Sequence, residues 1–587
     1  MRQRIRISVI ALGVAVAVAM GITLAMNLAD ARAEAPGELL GLVPENVESL
    51  IYLRDLKQGL SPFLGSDYYD EVSGLSVFDG PFKSDLSAPL LTKLGDLEKS
   101  TGIRPTPRRV LWMVDKRAVF FTTRLPSGTA SGGVIETGFF KRLVINAASI
   151  FSGGVAKEDW GTYSVWVVTA GGKHIYYKST KQYTVFSDSA ELFKSQWEMV
   201  SGSGTAAITN NPRFTGLLSR LPGQYHVLYY STAVMNPDPE KKGLRARMAR
   251  LLKGTDAVAA AVTFTETGFD ASVLAPYGTT EDAADLSALG TLTDTPPINL
   301  GQIPGETAAL IAFRAFDPDI VYTHFSKSWF GDVAERIAYI SVLKTWKEKG
   351  GFDLEGGIIN NLDRGATAAL VGLGWEAQKP HLKVIASVGV KPGGEAALSE
   401  NLSKFFAYSF FDAGPQVITL DNATLSYMGG FREKSINWNG SEYDVSVKAN
   451  PGFGFWGGKL FLFWDFSAVQ RLIDNAALSS MKEAGGLFDR DFLTKSAAFI
   501  ESQKKIPADN YDLYAYVDGN NAVSLLEDYL VNLSANYTYF LYQDSEKRLL
   551  PLLELTRHAF VSCSGGINFA GNAIEGTVTL TAKDLDE

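Results

Sequence analysis

The sequence predicts an α+β protein in which two similar domains follow an N-terminal hydrophobic segment, each domain a mainly antiparallel sheet packed with helices. Three observations predict it. The stretch 41–56 returns ungapped at 301–316, the same order of hairpin and capped helix recurs in both halves, and no long alternation of strands and helices of the parallel type is present. At 587 residues the chain exceeds what one hydrophobic core usually supports, so at least two domains are expected. Hydrophobic residues at 46% and charged residues at 20% describe a globular chain.

The N-terminus carries Arg2, Arg4 and Arg6, then an uncharged run from Ile7 to Met26, then the small-residue segment Ala29 to Ala35. This order of basic, apolar and small-residue regions is that of a secretory signal. The apolar run is also long enough to span a bilayer as a helix, so residues 1–33 read equally as a cleaved signal or a retained anchor. Both readings leave the basic end in the cytoplasm and export the bulk of the chain. A net charge of −9 argues against general nucleic-acid binding, and a single cysteine, Cys563, excludes an internal disulfide framework. An exported chain with one cysteine fits a bacterial envelope.

The first repeat is expected over 36–278. It opens at Gly41 and Pro44, and Leu50, Ile51 and Arg54 recur as Leu310, Ile311 and Arg314. Leu90 to Ser100 places Leu90, Leu94 and Leu97 on one helical face. Tyr163 to Thr169 and His174 to Thr180 flank Ala170-Gly-Gly-Lys173 and read as a hairpin. A third strand, Tyr183 to Ser187, stops at Asp188-Ser189, which caps a helix over Ala190 to Met199. The half closes with Tyr225 to Tyr230, after a helix holding Phe214, and with a strand pair over Val262 to Leu274.

The Thr-, Asp- and Pro-rich segment 279–299 reads as a linker, and the second repeat is expected over 300–587. There Tyr443 to Ala449 and Leu460 to Trp464 read as strands around a glycine-rich turn, and Asp465-Phe-Ser467 reads as the cap of a helix over Ala468 to Asn475. Tyr511 to Tyr516 matches Tyr225 to Tyr230 after a helix expected to hold Phe492, and Ile567 to Thr579 matches the first closing pair with Phe569 at the place of Phe264. The offset between halves grows along the chain, and the extra length is expected in the aromatic stretch Asn536 to Leu555.

This order of elements resembles uncharacterised exported bacterial proteins, a domain-of-unknown-function family of the YfaA-like kind. The resemblance covers roughly the mature chain and lies in element order. It implies an envelope location and a partner of the alpha-2-macroglobulin type, and it supplies no catalytic residue.

The motifs favour binding over catalysis. Gly452, Gly454 and Gly457 match the dinucleotide fingerprint, but they lie between strands, where glycine serves a hairpin. Phe453, Phe455 and Trp456 at that place are candidate contact residues whose bland alternative is packing on a helix. Ser341 and Lys344 match the SxxK pattern of serine acyl-enzymes on one face of a helix over Asp332 to Lys349, without the later Lys-Thr-Gly or Lys-Ser-Gly. The five histidines show no metal-ligand spacing, and Asp317-Pro-Asp319 and Asp489-Arg-Asp491 read as caps or turns. Cys563 reads as a small core residue in a strand.

Lys241, Lys242, Arg245, Arg247, Arg250 and Lys253 alternate with apolar residues, as in a basic amphipathic helix that meets anionic lipid or an acidic partner; a solvated surface helix is the alternative. The aromatic runs 405–411 and 537–542 suit either an apolar cavity or a core. The expected role is therefore a binding or assembly function at the bacterial inner membrane or in the periplasm, without cofactor or metal. A serine acyl-enzyme built on Ser341 and Lys344 and a periplasmic carrier of an apolar ligand are the alternatives.

Overall fold

In the computed structural model, the described residues are 39–65, 116–138, 155–170, 173–202, 206–232, 254–279, 287–288, 300, 303–314, 317–328, 330, 333–376, 379–409, 415–420, 423–428, 436–438, 441–443, 450–466, 468–469, 492–536, 542–569 and 571–583. They form an α+β protein of antiparallel sheet and helices. The chain divides into two compact units, the first taking 1–62, 79–233 and 257–264, the second 63–78, 234–256 and 265–587. Residues 1–33, the helix expected over Leu90 to Ser100, most of 279–299 and the basic cluster Lys241 to Lys253 lie outside the described residues. Among the described residues no helix is long and apolar enough to cross a membrane.

The first unit contains β1 (Val47–Arg54), α1 (Leu56–Gly65), β2 (Arg117–Leu125), β3 (Gly128–Glu136), β4 (Val155–Asp159), β5 (Ser164–Ala170), β6 (Lys173–Ser179), β7 (Tyr183–Ser187), α2 (Ala190–Val200), α3 (Pro212–Leu218), β8 (Val227–Ser231) and β9 (Val258–Thr265). Its strands lie in the order β9-β8-β1-β2-β3-β7-β6-β5-β4, each antiparallel to its neighbours. Strand alternation sends Leu50 and Tyr52 to a buried face, where Val119, Phe121, Leu228 and Tyr230 join them. The expected cap is in place: the Leu192 amide donates to Ser189 Oγ at 3.4 Å, and Phe193 and Trp197 of α2 are buried. Phe214 of α3 meets Tyr230 edge-on at 5.2 Å.

The second unit contains β10 (Gly268–Pro276), β11 (Ala309–Phe313), α4 (Pro318–Ser328), α5 (Val333–Thr345), β12 (Leu362–Glu376), β13 (Lys379–Val390), α6 (Glu395–Ser409), β14 (Pro415–Leu420), β15 (Ala423–Met428), β16 (Ile436–Trp438), β17 (Ser441–Tyr443), β18 (Gly452–Trp456), β19 (Lys459–Phe463), α7 (Ala497–Lys505), β20 (Leu513–Asp518), α8 (Gly519–Asn536), α9 (Tyr542–Ala559), β21 (Phe560–Asn568) and β22 (Ala573–Ala582). Its main sheet runs β10-β22-β21-β20-β11-β12-β13-β19-β18-β15-β14, antiparallel throughout. One face carries a core of Leu310, Ile385, Phe463, Tyr514 and Tyr516 with Phe499 of α7. Leu398, Leu402 and Phe406 of α6 pack with Phe453 and Leu460 in a second core.

Small ties recur in both units. Pro44 bridges Ala207 while the Ile208 amide donates to the Val43 carbonyl at 2.8 Å. Pro304 bridges Phe492 while the Leu493 amide donates to the Ile303 carbonyl at 2.9 Å. The Phe264 amide donates to His226 Nδ1 at 3.0 Å, and the Phe569 amide donates to an Asp512 carboxylate oxygen at 2.8 Å.

The structure corrects three local readings. Phe492 is not in a helix; it precedes a 3-10 turn at Leu493–Lys495, and the ring that meets Tyr516 edge-on, at 4.9 Å, is Phe499. The glycine-rich segment is not only a turn, because Gly452–Trp456 is itself a strand, and the turn is Gly457-Gly458 with φ of 58° and 72°. Cys563 lies in strand β21 as expected but is half-buried, and burial pushes its thiol pKa up. Of the predicted strand at Tyr443 to Ala449 only Tyr443 is described, and most of the helix expected at Ala468 to Asn475 is outside the described residues.

The edge-on pair makes a testable claim. Phe499 is 2% exposed, so Phe499→Ala is expected to cost about 3–5 kcal/mol in chemical denaturation. Its neighbour Ile500 is 44% exposed, and Ile500→Ala is expected to cost well under about 1 kcal/mol. Equal costs would refute the assignment of Phe499 to the core.

Candidate functional site

The site is built on the outer strands of the second unit. In the β15–β18 ladder Thr424 stands opposite Phe455 and Ser426 opposite Phe453, so these four side chains share one face. Val417 of the adjoining β14 stands opposite Ser426 and is 64% exposed. Glycine makes the close ladder possible: a Cβ on Gly454 would lie 2.2 Å from a Leu425 methyl and 2.9 Å from the Thr424 carbonyl oxygen.

Helix α6 forms the wall. It begins after Lys391-Pro-Gly-Gly394, where Gly393 takes φ of 81°, and it presents Glu395, Ala396 and Ser399 to an open groove of about 770 Å³. Thr424, Ser426, Phe453 and Phe455 line the same groove. The hydroxyls of Ser399, Thr424 and Ser426 have no hydrogen-bond partner among the described residues. Lys391 Nζ is engaged, donating to the Asn360 carbonyl at 2.9 Å. An aromatic floor beside several unengaged hydroxyls suits a ligand that combines an apolar body with polar groups.

A smaller cavity of about 380 Å³ lies on the first unit, lined by Ile51, Phe120, Phe186 and Tyr229 among others. Part of its polar lining is engaged, since the Ser49 and Thr122 hydroxyls bond at 2.7 Å and the Ser131 amide donates to Asp188 at 2.7 Å, while the Tyr229 hydroxyl has no hydrogen-bond partner among the described residues. The groove on the second unit is the larger of the two and gathers three unengaged hydroxyls, those of Ser399, Thr424 and Ser426.

The sequence candidates fall in different places. Phe453 is 3% exposed and packs against Phe406 of α6 at 5.7 Å, so its ring is mostly core. Phe455 is half-buried on that face, whereas Trp456 joins the opposite core, 5.9 Å from Phe461. Ser341 and Lys344 sit on α5, both exposed, and no hydrogen bond joins their side chains. Lys344 is paired at 3.7 Å with Glu348 in solvent, so the desolvated lysine beside a serine that acyl-enzyme chemistry uses is not assembled there. Asp317 caps α4 by accepting from the Asp319 amide at 2.9 Å, as a cap reading requires, and Asp489-Arg-Asp491 is outside the described residues. Phe405, Phe406 and Tyr408 lie on α6, with Phe406 in its core; residues 410–411 and 537–541 are not described.

Sequence reasoning missed two buried polar arrangements. His381 Nε2 meets the Asp465 carboxylate with both side chains largely buried, and His381 Nδ1 has no partner. No hydroxyl or thiol among the described residues hydrogen-bonds to this ring, so the pair lacks the nucleophile of a catalytic triad. Burial also pushes the Tyr277 phenol, helped by Asp512, and the Tyr514 phenol up to about 12. Residues far apart in sequence form both arrangements, so no short motif announces them.

No protein-family profile matches the chain, and no characterised protein matches it. Among solved structures it is similar to crystal form III of TP0453 (8% identity, TM-score 0.24) and to crystal form I (10% identity, TM-score 0.22). The first alignment covers 42% of this chain and 82% of that one, and the second covers 42% and 81%. At such scores the likeness carries no argument about fold or function.

The tyrosines give a pH prediction. An unfolded phenol loses its proton near pH 10, whereas folded Tyr277 and Tyr514 hold theirs to about 12. Their contribution to stability is full below pH 10 and lost as the pH rises to about 12. Urea midpoints measured across that window are expected to fall, and to fall less in a Tyr277→Phe variant.

Proposed function

We propose that this chain is an exported bacterial envelope protein with a binding role, built by internal duplication and carrying its ligand site in the groove beside α6. The observation that carries the binding role is the groove itself, with Phe455 on its floor and the unengaged hydroxyls of Ser399, Thr424 and Ser426 around it. The N-terminal order of basic, apolar and small residues supports export.

Several features support the duplication. The repeated segments become equivalent central strands: Leu50 of β1 stands opposite Tyr230, and Leu310 of β11 stands opposite Tyr516. The nine-strand order of the first unit is matched by β21-β20-β11-β12-β13-β19-β18-β15-β14 in the second. Equivalent ties join Pro44 to Ala207 and Pro304 to Phe492. The added length of the second copy includes α8 and α9, between β20 and β21.

The reading extends to a larger envelope protein of the alpha-2-macroglobulin type as partner, and to a chain either released into the periplasm or held at the inner membrane. Crosslinking and co-purification of the C-terminally tagged chain from a bacterial envelope tests it. One stoichiometric envelope protein is expected, and its capture is expected to weaken when Thr424→Arg blocks the groove. The N-terminal peptide mass in the same preparation separates anchor from cleaved signal. Recovery of the chain only from the cytoplasm, with its N-terminus intact, would refute export.

A further inference from the structure

The corresponding place in the first unit indicates what the groove accepts. In the β5–β6 ladder Trp166 stands opposite Tyr177, and in the β4–β5 ladder Lys157 stands opposite Trp166. In the second unit the same ladder positions are Ser426 opposite Phe453, and Val417 opposite Ser426. An indole thus occupies in the first unit the position that a serine hydroxyl occupies in the second. Lys157 Nζ lies 5.7 Å from the Trp166 ring, whereas Val417 carries no charge and is 64% exposed.

We propose that the groove binds an indole-sized aromatic side chain, seated over Ser426 where the first unit seats its own Trp166. The inference rests on the duplication reading, because that reading equates the two ladder positions. The surroundings suit such a ring. Phe455 offers an aromatic contact, Ala396 leaves room on the helix side, and the hydroxyls of Ser399 and Ser426 are free to accept from an indole N–H. Glu395, also lining the groove, is exposed and adds a third acceptor. The ring could belong to a free aromatic amino acid or to a residue of a partner polypeptide, and the chemistry at Ser426 is the same for both.

The test uses the full chain and two probes, L-tryptophan and the tripeptide Gly-Trp-Gly, with L-leucine as the control, in saturation-transfer NMR and calorimetry. Tryptophan is expected to bind with a dissociation constant on the order of a millimolar, and leucine not measurably. Two filling variants, Ser426→Trp and Ala396→Trp, are each expected to weaken binding at least about tenfold, roughly 1.4 kcal/mol. Tighter binding of the tripeptide than of the free amino acid assigns the ring to a polypeptide, and equal binding assigns it to the free amino acid. No saturable signal from either probe, or binding unchanged in both variants, overturns the proposal. If wild type binds nothing while Ser426→Trp keeps the wild-type melting temperature, the site falls and the duplication stands. If Ser426→Trp unfolds the chain while Ala396→Trp alone blocks binding, the site stands and the ladder correspondence falls.

Discussion

The ladder on either side of the central strand of each unit is the constraint on which the rest depends. β1 pairs with β2 on one side and with β8, which arrives far later in the chain, on the other. β11 is held in the same way between β12 and β20. These long-range pairs bury Leu50 and Leu310 almost completely, at 1% exposure each, and bring Tyr230 and Tyr516 against Phe214 and Phe499. The entropy of closing a loop grows only with the logarithm of its length, so the chain between the paired strands can lengthen at small cost. The second unit uses that latitude between β20 and β21, where α8 and α9 make a longer connection than the one between β8 and β9 of the first unit, without disturbing the ladder.

How much of this was legible follows from which signals are local. β7 begins and ends as read from the sequence, and α2 starts behind Ser189, because strand alternation and a cap are written within a few neighbouring residues. The likeness of 41–56 to 301–316 is written in neighbouring residues, and in the structure Leu50 and Leu310 each stand opposite a tyrosine of a much later strand, Tyr230 and Tyr516. Phe499 was missed because α7 ends in Glu-Ser-Gln-Lys-Lys and shows little apolar periodicity, so a nearby Phe492 looked like the better match. Gly452–Trp456 was read as a turn because glycine is a poor strand former in isolation, and here the close approach of Leu425 and the Ser426 carbonyl is what selects it.

The candidate site was only half legible for the same reason. Phe453 and Phe455 could be named from their clustering, but their division of labour could not, because it depends on which strand faces which. Pairing with β15 sets Phe455 and Ser426 on the α6 side, and the single-residue alternation of β18 sends Trp456 to the other core. Ser426 itself carries no sequence signal. It acquires meaning only opposite Phe453, as Trp166 does opposite Tyr177.

Under the duplication proposed above, that contrast bears on how one of two similar units can acquire a site. A core position under α6 cannot vary freely, because Leu398, Leu402 and Phe406 fill the space over Phe453 and Leu460, and a cavity there would cost several kcal/mol. The strands beyond α6 are under weaker constraint: Thr424 and Val417 are exposed, so their side chains can change without opening a void in the core. Replacing an indole by a serine on those strands removes apolar contact from a partly solvated face and leaves a recess floored by aromatic rings that the core already holds in place. The rigidity of the recess therefore derives from Phe453 packed against α6, while its capacity derives from Ser426 and Thr424 beside it.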